Sequence, residues 1–216
     1  DNAVVHADGA EPAWYVAFAD RVNADLEAAG FPRCAGGYMA RRWSAPLSEW
    51  AGWFAGWIDA PSPDALLHAG IFFDFRRVAG ALDLARLDAV LATAPRRTVF
   101  LRFLAKAALD FHPPAALLLR LKGSSPVDLK AHGIAPVVFL ARCYGLELGG
   151  APRSTLARLE AAVRAGNLAD DVFGEVAEAY RFLVGLRLRL QLRSLAAGEP
   201  ARSTVAPGDL GALERT

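Results

Sequence analysis

Apolar and polar positions alternate on two different periods along this chain. Ala3 to Ala7 form a short β-like run closed by the turn pair Asp8-Gly9. From Pro12 onward Trp14, Phe18, Val22 and Leu26 recur at a spacing of four, which predicts a helix stopped by Gly30. Phe31 to Ala40 (FPRCAGGYMA) is too short and too glycine-rich for another helix, and reads as a second strand bent at Gly36-Gly37. The first forty residues therefore predict a β-α-β unit.

Everything later follows the helical period. Ser44 and Pro46 open a helix to about Ile58, with Trp50, Trp53 and Trp57 on one face. Aromatic residues at that spacing predict core packing rather than a base-stacking platform. Asp59 to Pro63 (DAPSP) interrupts the pattern and divides the chain into residues 1–60 and 61–216. Helices are then expected over about Pro63–Val78, Asp83–Thr93 and Pro95–Leu109, with a short one between His112-Pro113-Pro114 and Lys122.

Gly123 to Pro126 reads as a loop, Gly133 as a turn residue with positive φ, and Pro136 as the first turn of a helix from Ala135 to about Leu148. Ser154 caps a helix to about Ala165. The last helix, Asp170 to Ala197, carries Val176, Tyr180, Leu183, Leu186 and Leu190 at helical spacing. The tail after Gly198 is polar and turn-rich. No period of 20 to 50 residues repeats, so the fold class is mainly α: a β-α-β unit followed by a helical bundle.

Composition narrows the function. With 54% hydrophobic residues in a chain of 216, a large core is expected. Lys and Arg number 24 against 23 Asp and Glu, so no overall field favours nucleic acid or an anionic membrane. No apolar run reaches the roughly 18 residues that span a bilayer. Cys34 and Cys143 lie far apart without zinc-ligand spacing, which fits a reducing cytoplasm. The histidines His6, His68, His112 and His132 form no nucleophile or zinc motif.

Three groups of polar residues interrupt apolar runs. In VDLKAHGIAPVVFLAR, Asp128, Lys130 and Arg142 either line a polar pocket or lock the helix entry to its neighbours, and the lock is favoured because ionic networks give the same pattern. In IFFDFRRVAG, Asp74 and Arg76 either orient toward a phosphate or pair on a helix surface. On the last helix Arg187 and Gln191 share a face while Arg189 points elsewhere, leaving one of these side chains to reach a cleft.

Six separated blocks stand in the order found in one family: Asp1-Asn2-Ala3, GFPRCAGGYMA, LSEWAGWFAGWI, IFFDFRRVAG, DLKAHGIAPVVFLAR and AYRFLVGLRLRLQ. The chain resembles the nucleotidyltransferases that carry a dedicated helical substrate-binding domain. Such proteins often sit behind CBS or cyclic-nucleotide-binding sensor domains and are similar to the PII uridylyltransferases.

The resemblance implies an α/β core that holds a nucleoside triphosphate and Mg²⁺ on paired aspartates, and a helical domain that closes over substrate. Under it Asp1 is the second aspartate of the pair, a catalytic metal ligand, while the Gly-Ser motif and the first aspartate would precede this chain. Phe31 to Ala40 has no carboxylate to serve as the third ligand, and Leu190 stands where the family commonly has histidine. The fragment alone is therefore expected to be inactive. By the same resemblance Asp74, Arg76, Asp128, Lys130, Arg142 and Arg187 would face substrate, and the acceptor would be a regulatory protein. Two other readings stand beside it. One is a catalytically silent, sensor-linked nucleotide-binding module; the other is a helical part that serves as a homodimer surface.

Overall fold

The structure, a computed structural model, describes residues 1–110, 126–206 and 209. It divides into two compact units, Asp1–Phe100 and Leu101–Thr216. The short helix expected before Lys122 and the loop from Gly123 to Ser125 lie outside the described residues.

The first unit opens with β1 (Val4–His6), α1 (Pro12–Ala28) and β2 (Ser44–Pro46), the two strands pairing in parallel with Val4 opposite Ser44 and His6 opposite Pro46. The β-α-β unit is present, but its second strand lies beyond Phe31–Ala40. That stretch, broken by Gly36-Gly37, is taken up by turns: the Gly37 amide donates to the Cys34 carbonyl, and the Arg42 and Trp43 amides both donate to the Met39 carbonyl. The ladder passes instead to Ser44–Pro46, where the proline ends the strand without a donor to spare.

Helix α1 turns a different face inward from the one its four-residue spacing suggests. Ala19 and Asn23 are buried, whereas Trp14 and Phe18 stack on each other at the surface, 60% and 45% exposed. A small alanine lets the helix lie close to the two strands, which the Trp14 ring would prevent.

Helix α2 (Leu47–Asp59) forms the centre of this unit. Trp50, Ala51, Phe54 and Ile58 are buried along it and meet Phe72 and Phe73 at the end of α3 (Pro63–Phe72). Ser62 caps α3, its Oγ accepting the Ala65 amide at 3.1 Å. The helix stops at Phe72 rather than continuing to Val78. Once Phe72 and Phe73 have entered the core, Arg76, Arg77 and Val78 are left at the surface, with no apolar stripe to hold a further turn. Leu87 and Leu91 of α4 (Ala85–Leu91) add to the same core, a 3₁₀ turn spans Ala94–Arg96, and α5 covers Thr98–Asp110.

In the second unit β3 (Val127–Asp128) leads through a wide turn with i→i+5 hydrogen bonding, Lys130–Ile134, into α6 (Ala135–Glu147). Helix α7 (Thr155–Arg164) packs on α6, burying Ala141, Leu146, Leu159 and Ala162. The 27-residue α8 (Asp170–Ala196) follows. The polar tail also contributes structure: β4 (Thr204–Val205) pairs antiparallel with β3, and Val205 joins Val127, Leu129, Leu186 and Leu190 in a small core.

Gly133 does not take a positive φ. Its reason is close approach, since a Cβ there would come within 3.0 Å of Leu183 Cδ1.

Candidate functional site

In the first unit Asn2, which precedes β1, anchors the start of that strand. The Asn2 amide donates to the Tyr38 carbonyl at 3.0 Å, and the Asn2 side-chain oxygen accepts the Ala40 amide at 2.6 Å. Asp1, the carboxylate expected to hold metal, stands exposed beside this anchor. β2, the strand that pairs with β1, carries no carboxylate. Among the described residues no three of His, Cys, Asp and Glu gather in a metal-binding group. These residues do not by themselves fit a divalent cation, for which several oxygen donors must converge.

The other end of β1 is held by charge and hydrogen bonding. Hydrogen bonding from the Ser48 side chain, and then from its backbone amide at 3.0 Å in the first turn of α2, lowers the Asp8 carboxyl below the usual range, with Arg86 adding a charge 3.8 Å away. His6 is buried, stacked on Tyr15 with ring centres 4.3 Å apart.

Beyond β2's entry the aromatic residues form a pocket of about 320 Å³ lined by Arg42, Trp43, Trp53, Trp57 and His68. Trp43 meets Trp53 edge-on at 5.8 Å and His68 at 5.2 Å, and His68 lies 5.3 Å from Trp57. The tryptophan stripe of α2 is thus split: Trp50 is core, while Trp53 and Trp57 are half-buried walls. Burial pushes the His68 pKa down. The sequence reading did not single out Arg42, Trp43 or His68; the signal available was a histidine at position 68 among aromatic residues that exceed what one helix face can bury.

Asp74, half-buried, follows α3 directly, and Arg76 lies exposed in the non-helical stretch after it. The remaining predicted residues belong to the second unit. Asp128 Oδ1 accepts the backbone amides of Lys130 at 2.8 Å and Ala131 at 3.1 Å, so it caps the wide turn before α6 while Lys130 points to solvent. Arg142 is 4% exposed within α6, its guanidinium 4.9 Å from the centre of the Phe139 ring. Arg187 Nε donates to Ser203 Oγ at 2.9 Å, and the Leu129 amide donates to the Ser203 carbonyl. Asp128 and Arg187 are therefore brought to the same β3–β4 ladder, Asp128 within it and Arg187 through the residue just before β4.

A further buried arginine, carried by α7, is marked by no sequence pattern. Arg158 is 1% exposed, crosses Gly145 and donates from Nε to the Pro152 carbonyl at 3.0 Å. No helix among the described residues is long and apolar enough to cross a membrane.

Two family models match the chain. Residues 1–64 match "Putative nucleotidyltransferase DUF294" and residues 98–216 match "Putative nucleotidyltransferase substrate binding domain". No curated protein and no solved structure matches it.

Proposed function

The chain belongs to the nucleotidyltransferase family with a helical substrate-binding domain, and from that premise we propose that it is part of a metal-dependent enzyme resembling PII uridylyltransferase. In this reading residues 98–216 bind the substrate, Mg²⁺ held in the full-length protein would offset charge on the phosphates, and a regulatory protein would accept the nucleotidyl group. The observation that carries it is the joint match of both family models, one lying over the β1-α1-β2 unit that begins at Asp1 and the other over α5 to β4. Asp1 would hold metal, Arg187 and Lys130 would approach substrate phosphates, and Asp128 would fix the turn that presents Lys130. Transfer of label from an NTP by the full-length protein in Mg²⁺, compared with an Asp1→Asn variant, tests it.

A second reading is favoured by a specific observation: the strand beside β1 carries no carboxylate, nor does Phe31–Ala40 before it. A core lacking its third acidic ligand would bind nucleotide without transferring it, and serve as a signalling module. Equal nucleotide affinity in the parent and Asp1→Asn proteins, with no transfer in either, would support this reading.

A further inference from the structure

We infer that the tryptophan pocket of the first unit is a binding site for a small, flat aromatic carboxylate, distinct from the nucleotide chemistry proposed above. Its walls are indole and imidazole rings at steep mutual angles, Trp43 to Trp53 at 87° and Trp43 to His68 at 67°, so a planar ring entering between them meets one wall face-on and another edge-on. The volume of about 320 Å³ is at the lower end for ligand sites and suits one or two fused rings.

The charge at the pocket selects the ligand's sign. Arg42 is the cationic lining residue; its guanidinium lies 5.9 Å from the centre of the Trp43 ring, and no carboxylate lines the pocket. Among the described residues Arg42 has no carboxylate partner; its sequence neighbour Arg41 is the one that pairs with Asp20. A ligand cation would compete with Arg42 for the Trp43 face, whereas a carboxylate would give the planar guanidinium its bidentate partner. One guanidinium matches one negative charge, which favours a monocarboxylate over a nucleoside triphosphate.

Desolvation keeps His68 toward its neutral form, a flat wall rather than a second cation.

The test is titration of the 216-residue chain with 2-naphthoate, followed by tryptophan fluorescence and calorimetry, beside neutral 2-naphthylmethanol and cationic trimethylphenylammonium. The expected result is saturable 2-naphthoate binding, about tenfold tighter than the neutral analogue, reduced to the neutral level in Arg42→Gln and lost in Trp53→Ala. Arg42 is exposed, so its variant keeps the fold; Trp14→Ala, on the distant face of α1, should bind as the parent does. No binding of 2-naphthoate, equal binding of acid and alcohol, preference for the cation, or displacement of naphthoate by ATP would each overturn the assignment.

Discussion

Arg158 lies across Gly145 so closely that a Cβ added to the glycine would stand 2.6 Å from Arg158 Nε and 2.7 Å from its Cδ. The atoms in the way belong to the middle of a fully buried side chain whose Nε is already committed to the Pro152 carbonyl, so the arginine has no free direction in which to yield. The contact joins α6 to the start of α7.

Gly145→Ala is therefore expected to destabilise the second unit by about 1–3 kcal/mol, the usual cost of overpacking. Gly133→Ala should cost less, because there the clash is with the terminal methyl groups of Leu183, which sits at the edge of its cluster. Urea denaturation of both variants checks the order. Equal losses would contradict it.

Asp128 is placed as a cap rather than as a group aimed at a ligand. Asp128→Ala should lower stability by about 0.5–2 kcal/mol, and Asp128→Asn should recover most of that, since an amide oxygen also accepts the Lys130 and Ala131 amides. Thermal denaturation reads both. The same variants assayed for nucleotide transfer would reveal a substrate role if the asparagine folds normally yet loses activity.

How far the sequence revealed this site depends on the kind of signal. Local chemistry was legible in part: Pro12 and Gly30 mark helix ends, and the 3.6-residue period of Leu183, Leu186 and Leu190 places the inner face of α8, but Ser154 makes no side-chain cap hydrogen bond at the start of α7. Long-range pairing was not. The strand beside β1 is three residues of Ser-Ala-Pro, chosen by what the Asn2 and Val4 backbones could reach rather than by β-propensity. Thr204–Val205 is held by pairing with β3 and by packing of Val205 on Leu186 and Leu190, neither of which is local in sequence. Arg142 stands out in an apolar helix, whereas Arg158 looks like a surface residue by type, and only its packing across Gly145 reveals it as interior.

Acid should loosen the joint between β1 and α2. The Ser48 hydrogen bonds hold the Asp8 carboxyl below its ordinary value of 3.8, so its contribution is fully present above that value and is lost as pH falls through the lower folded value. The thermal midpoint of the parent should exceed that of Asp8→Ala at pH 7, and the gap should close as pH drops below 3.8. A gap that persists unchanged to pH 2 would contradict this assignment.

The two cysteines should differ in reactivity. A hydrogen bond from the Tyr38 backbone lowers the Cys34 thiol, whereas burial pushes Cys143 up to about 11. At pH 8 about one thousandth of Cys143 is thiolate, so iodoacetamide should modify Cys34 alone until the chain is unfolded. Peptide mass spectrometry reads the sites, and early labelling of Cys143 would contradict its burial in α6.

The most direct test of the proposed enzyme is transfer of label from α-³²P nucleoside triphosphates to protein by the full-length molecule in Mg²⁺. Acid-stable labelled protein is expected with one of the four nucleotides, absent with EDTA and reduced on the order of a hundredfold in Asp1→Asn. Nucleotide bound but never transferred, with Asp1→Asn indistinguishable from the parent, would contradict it.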